Sequence, residues 1–211
     1  MKQLLVFLLT LLLLTGCAAE APAEMPAPEE PKSETAEIPA EETPAEETPV
    51  EETPAAEPEE PVYLGDFSAQ TLTGETLDQT FFANAELTVI NIWATYCGPC
   101  KQEMPVLGAL DQELENVQVL GIVTDVIDQS GNPDDGQVEL ALDLLDAYGC
   151  AYPNLILNQS LANLGFAGLQ AVPATLFVDQ NGNLAGPGFY GALDEAGWRS
   201  AIAERLELVQ S

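Results

Sequence analysis

The chain has no histidine, five basic residues against 35 acidic ones, and four cysteines in 211 residues, for a formal net charge of −30. A zinc site needs about four cysteine or histidine ligands at suitable spacing, and one CxxC with no second and no histidine does not supply them. So negative a surface repels nucleic acid and anionic lipid headgroups, which argues against polyanion partners and keeps the protein soluble. Long apolar runs are missing too: residues 4–14 fall short of the roughly 20 needed to cross a bilayer. Aromatics are absent from residues 18–61, a stretch of mostly Ala, Pro, Glu and Thr with one lysine. It has too little apolar surface to offset the entropy of ordering.

What stands at the N-terminus is a lysine, the apolar run and Leu14-Thr15-Gly16-Cys17, the layout of a secretory signal over residues 1–16. The last four residues resemble the bacterial lipobox. That resemblance implies cleavage before Cys17, its diacylation, and an extracytoplasmic protein held on a bacterial membrane by two acyl chains; an ordinary secretory signal is the alternative. Residues 17–61 then form an acidic tether with EETPA, EETPV and EETPA in tandem over 41–55. Its prolines favour polyproline II and its glutamates repel one another, giving an upper-limit reach on the order of 100 Å at about 3.1 Å per residue. A solvated spacer and a specific binding tail both fit this composition.

Residues 62–211 read as one domain, with 20 acidic residues against Lys101, Arg199 and Arg205. Residues 62–77 suggest two short strands around Thr73-Gly74. LTVINIW (87–93) and VQVLGIVT (117–124) are apolar, β-branched runs of strand length, as expected for strands buried on both faces. Between them Cys100, Met104, Leu107, Leu110 and Leu114 form one helical stripe. Pro99 suits its first turn, whereas Pro105 should kink it at a cost of about 3 kcal/mol. The polar stretch 125–137 is long for a connection, and its acidic residues miss the EF-hand spacing. A helix over 138–148 stopped by Gly149 follows, then a short turn or helix near 160–164 and a strand over 174–178. Asn181-Gly182 signals a type I′ hairpin that turns residue 184 onward antiparallel to that strand. A last helix spans 193–208, with Ala196, Ala201, Ile202 and Leu206 among its apolar positions. The order predicts an α/β domain, a mixed central sheet flanked by helices with an N-terminal strand hairpin.

The stretch NIWATYCGPCKQEMP (91–105) puts Cys97 between a buried strand and a helix start. There its sulfur meets unpaired N–H groups and the positive end of the helix dipole, both of which favour thiolate. Lowering a thiol pKa from about 8.5 to about 7 raises its ionised fraction at pH 7 from about 3% to about half, and makes it a better leaving group. Cys100, one turn on, points inward as the resolving thiol. A staple across so tight a loop would constrain the unfolded chain little, so redox chemistry is the reading that remains. Gly98 and Pro99 bring no histidine to stabilise the thiolate, and the acidic domain pushes thiol pKa upward; both argue for a reducing couple. Cys150 is either a small apolar residue against Leu145 or a third redox thiol.

WATYCGPCKQEMP resembles the active-site motif of the TlpA/ResA family of membrane-anchored bacterial thiol-disulfide oxidoreductases. DFSAQTLTGETL and AVPATLFVDQNGNL extend the likeness from about residue 62 to the C-terminus. The resemblance implies a thioredoxin fold, catalytic Cys97 and Cys100, and no cofactor or metal. It implies a cis-proline at Val172-Pro173 whose neighbouring backbone binds the substrate strand; a trans edge proline is the alternative. Tyr96 takes the place of the family's tryptophan as an aromatic substrate platform. Asp125, where a glutamate is more usual, would relay the Cys100 proton, or else simply cap a loop. The implied partners are protein disulfides, such as apocytochrome c, methionine sulfoxide reductases or other surface thiols, served by a single copy of the chain and re-reduced by a membrane donor of the CcdA type. A thiol peroxidase is a rival, but it wants Thr or Ser where Ala94 stands. A non-catalytic redox-sensing module is another.

Overall fold

In the computed structural model, which describes residues 61–211, the Thr73-Gly74 turn joins β1 (Ser68–Gln70) to β2 (Thr76–Asp78) as an antiparallel pair. The leader, Cys17 and the tether lie outside the described residues. A 3₁₀ turn, Gln79–Asn84, is capped by the Asp78 side chain and buries Phe82. It leads into β3 (Leu87–Trp93), all seven residues of which are buried. Leu87, Val89 and Trp93 enter one core and Ile90 and Ile92 the other, so a strand covered on both faces needs no polar alternation.

Helix α1 (Gly98–Glu113) connects β3 to the parallel strand β4 (Val117–Val123). α2 (Asp135–Ala147) leads on to β5 (Asn154–Ile156), parallel to β4. After α3 (Gln159–Asn163), β6 (Ala174–Asp179) runs antiparallel to β3 and pairs with β7 (Phe189–Tyr190) before α4 (Glu195–Val209). The sheet order is β5-β4-β3-β6-β7. Residues of α1, α2 and α4 share one core with Trp93 and Phe177; the 3₁₀ turn, α3 and the N-terminal hairpin share the other with Ile90 and Leu155.

Several expectations are corrected. β5 is unforeseen, because three residues carry no period. It becomes a strand by pairing with β4 on one side, while Leu72 N–H reaches Asn154 C=O on the other at 2.9 Å. α2 takes in Asp135, Gly136 and Gln137, assigned to the loop from sequence, because Asp134 Oδ1 accepts the Gln137 N–H at 3.0 Å and starts the helix there. The turn after β6 is longer than a two-residue type I′ hairpin: Gly182 N–H bonds Asp179 C=O, which centres it on Gln180 and Asn181 and leaves Gly182 at φ 86°. α4 starts two residues late, capped by Asp194. It buries Trp198, Ile202 and Arg205 and leaves Ala196 exposed. Pro105 does lie inside α1, at an exposed position where it costs one hydrogen bond, while the opposite face, with Met104 and Leu107, stays packed.

A candidate redox site at the start of α1

Four residues past β3 the chain needs a residue with extended backbone to start α1, and Cys97 (φ −76°, ψ 106°) fills that N-cap position. Pro99 occupies the first turn, where its missing N–H has no intrahelical partner to lose. The Cys100 N–H points at Cys97 Sγ at 3.2 Å, so a free first-turn amide does face the sulfur. The structure is in the oxidised state, with Cys97 and Cys100 joined at a Cα separation of 5.3 Å. Cys97 keeps 4% exposure and Cys100 none. Only the first can meet a partner directly.

The Val172–Pro173 peptide bond is cis. Ile92 opposes Ala174 in the antiparallel ladder, which sets Pro173 level with Trp93, at the end of β3 that leads to the cysteines. Pro173 C=O accepts Gly191 N–H at 2.9 Å, while the Val172 N–H and C=O have no hydrogen-bond partner among the described residues. Tyr96, 74% exposed, and Val172 lie in one groove of about 260 Å³ with Thr124, Phe166 and Leu169. A larger cleft, about 620 Å³ and lined by residues of the N-terminal hairpin and α2, reaches Cys150 but neither redox cysteine.

Asp125 stands two residues past the end of β4. Its carboxylate takes the Thr95 N–H on both oxygens at 3.0 Å and the Thr95 hydroxyl at 2.6 Å. It thus grips the turn two residues before Cys97. Lys101 Nζ donates to the Thr95 C=O at 3.2 Å, so every polar group of Thr95 is engaged.

The buried carboxylate on the cysteines' own helix is Glu103, which the sequence reading passed over. It lies one turn beyond Cys100, 1% exposed, and accepts from Asn91 Nδ2 at 2.9 Å and Leu193 N–H at 3.3 Å. Burial pushes its carboxyl from the ordinary 4.5 up to about 7, against the Asn91 and Leu193 hydrogen bonds that pull it down. One signal was available: Glu103 sits beside Met104 on the Cys100–Leu107–Leu110 stripe, the wrong place for an unpaired charge.

Beneath α1 a polar row crosses the sheet, Thr175 opposite Asn91, Asn91 opposite Gly121 and Gly121 opposite Asn154. Gly121 makes room for the Asn154 amide, since a Cβ there would lie 1.8 Å from its Oδ1. That oxygen accepts the Trp93 indole N–H at 2.8 Å. The floor of the site is thereby tied to edge strand β5.

Cys150 is a free, buried thiol. Its N–H bonds Leu145 C=O and the Gly149 N–H bonds Asp146 C=O, the paired closure of a helix at a glycine with φ 71°. Its Sγ donates to Met104 C=O at 3.3 Å, and burial pushes the thiol pKa up, which makes it a poor nucleophile.

The sequence pattern of the AhpC/TSA family matches residues 63–186, more than half of the chain. The thioredoxin-like protein YneN of Bacillus subtilis is 32% identical over 56% of this chain and 64% of its own length. The thiol-disulfide oxidoreductase ResA of Halalkalibacterium halodurans is 24% identical over 56% of this chain and 62% of its own. The chain thus matches less than two thirds of the length of either relative. A thioredoxin-family thiol:disulfide interchange protein from Chlorobium tepidum superposes with a TM-score of 0.57 at 20% identity, over 70% of this chain and 97% of its own, a likeness of fold. With the mixed sheet, the CxxC at the head of α1 and the cis-proline level with Trp93, the chain belongs to the AhpC/TSA family as a TlpA/ResA-like protein of thioredoxin fold.

Proposed function

We propose that the protein is an extracytoplasmic, membrane-anchored thiol-disulfide oxidoreductase that reduces protein disulfides through Cys97 and Cys100. The observation that carries this reading is the Cys97–Cys100 bond at the helix start, one sulfur reachable and one enclosed, with an amide facing the reachable one. In the reduced protein the Cys97 thiolate attacks a substrate disulfide, forming a mixed disulfide and releasing one substrate thiolate. Cys100 then gives up its proton and attacks Cys97 Sγ, so the second substrate sulfur leaves and the Cys97–Cys100 bond closes. Two electrons have passed to the substrate, whose two thiolates take up protons from solvent, while the Cys100 proton has gone to a base in the protein. Glu103, titrating near neutrality one turn from Cys100, suits the acceptor of that proton better than Asp125, whose oxygens are taken by Thr95.

Candidate targets are apocytochrome c, oxidised methionine sulfoxide reductases and other surface proteins, with re-reduction by a membrane donor of the CcdA type and anchoring through diacylated Cys17. Val172, Pro173 and Tyr96 form the substrate side. The test is Cys100→Ser in cells: it should hold discrete partner proteins on Cys97 as mixed disulfides that a reductant releases. Recovery of the same adducts from a Cys97→Ser, Cys100→Ser double variant would refute the reading. Insulin reduction with a dithiol donor distinguishes an enzyme from a redox-sensing module.

A further inference from the structure

We propose that the partner disulfide is carried by a cationic polypeptide, which lays a short run of uncharged residues in the groove between Tyr96 and Val172 and turns basic residues toward the acidic loop and α2 start at 125–137. This rests on the reading that Cys97 exchanges with protein disulfides. No residue lining the groove is charged. A side chain laid against Leu169 and Val172 there loses part of its water, which an unpaired charge tolerates less well than a small or apolar group, so the segment next to the substrate cysteine is uncharged. The exposed Tyr96 ring offers a rigid amphipathic contact, and the unpartnered Val172 N–H and C=O can receive an extended backbone.

The groove runs into the root of the acidic loop. Thr124 and Tyr96 line it, and the residues next to them, Asp125 and Thr95, are bonded to each other at 2.6 Å. The first turn of α2, which follows the loop, returns to the same point, with Gln137 Oε1 3.4 Å from the Thr95 hydroxyl. Asp125 therefore borders the redox turn, and Asp128, Asp134 and Asp135 lie on the segment that leaves this point and returns to it at Gln137. The sequence has no Lys, Arg or His between Lys101 and Arg199, so the Lys101 ammonium, held on Thr95 C=O, is a single cation set against these four carboxylates. Asp128 is held ionised by the Asn132 and Ser130 N–H groups, which pull its carboxyl below the usual range. Among the described residues no three carboxylates lie close enough to hold a metal ion. Spread charge of this kind fits a chain bearing several separated cations rather than a point ion. Such fields raise encounter rates by roughly 10 to 10³ at low salt and fade as the screening length shrinks.

The test uses the full chain, reduced beforehand with a dithiol, and three peptides that share one uncharged disulfide core flanked by lysines, glutamates or serines. At about 10 mM salt the lysine peptide should show at least roughly tenfold higher kcat/KM than the glutamate peptide, and at about 0.5 M the gap should close. The variant Asp128→Asn, Asp134→Asn, Asp135→Asn keeps the oxygens that cap Ser130, Asn132 and Gln137. It should lose most of the gap while reducing the serine peptide as before. A lysine moved into the core beside the cysteine should slow reduction at both salt levels. Equal rates for lysine and glutamate peptides at low salt, a gap that survives in the variant, or a core lysine without effect would overturn the proposal. Failure to reduce any peptide, the serine one included, would overturn the oxidoreductase reading with it.

Discussion

Replacing Glu103 with glutamine should flatten the pH dependence of folding stability between pH 4.5 and 7. In the folded protein burial holds this carboxyl protonated up to about 7, whereas in the unfolded chain it ionises near 4.5. Between those values the folded state keeps a proton that the unfolded state has released. The stabilising contribution is therefore complete below pH 4.5 and is lost as pH rises through about 7. At 1.36 kcal/mol per pKa unit, the interval amounts to about 3 kcal/mol. Glutamine resembles the protonated acid. Its amide can donate to the buried Asn91 Oδ1, which has no partner among the described residues, and it has no charge to desolvate. Urea unfolding of both oxidised proteins from pH 4.5 to 8 should show the wild type losing about 3 kcal/mol relative to the variant. Asp111, also raised by burial, contributes in the same direction to both proteins and cancels in the difference. With no histidine in the chain, no imidazole titrates in this window. Curves that stay parallel within about 0.5 kcal/mol would refute the assignment of a buried, neutral Glu103.

The same Glu103→Gln variant should slow the step in which Cys100 resolves the mixed disulfide by about 10²-fold or more, read by single-turnover quench, while leaving the first attack by Cys97 near its original rate. Gly121→Ala should cost roughly 2–3 kcal/mol in urea unfolding, because its Cβ must displace the Asn154 amide that accepts the Trp93 indole N–H. Cys150, buried and raised in pKa, should resist alkylation in the native protein and react at once in denaturant, as mapped by mass spectrometry. Arg199→Ala, which removes exposed pairs to Glu113 and Glu195, should change stability by no more than about 1 kcal/mol, and less at high salt.

Much of the site was legible because its parts are local. Cys97 as the cap of α1, Cys100 one turn further inside and the buried run of β3 all follow from spacings shorter than two helical turns. The groove between Tyr96 and Val172 was half legible: both residues were singled out by resemblance, but their sharing a groove with Phe166 and Leu169 depends on how the connection before β6 folds back. Asp125 was singled out for its position after β4. Its grip on Thr95 was not foreseeable, since a carboxylate after a strand is as ready to cap a loop as to reach another segment.

The amino-acid order alone determined the redox motif, the strand-helix junction that presents it, the acidic surroundings free of histidine, and the stripes that pack α1. These depend on which residues stand within a few positions of one another, and periodicity and capping act at that range. Tertiary structure decided that Pro173 lies level with Trp93, that Glu103 is sealed beneath Leu193, and that the vacancy at Gly121 is filled by Asn154. Those pairings join segments 33 to 90 residues apart in sequence. Such contacts form only when the sheet brings distant strands into register, and the burial that moves the Glu103 carboxyl exists only once both sides of the core have closed around it.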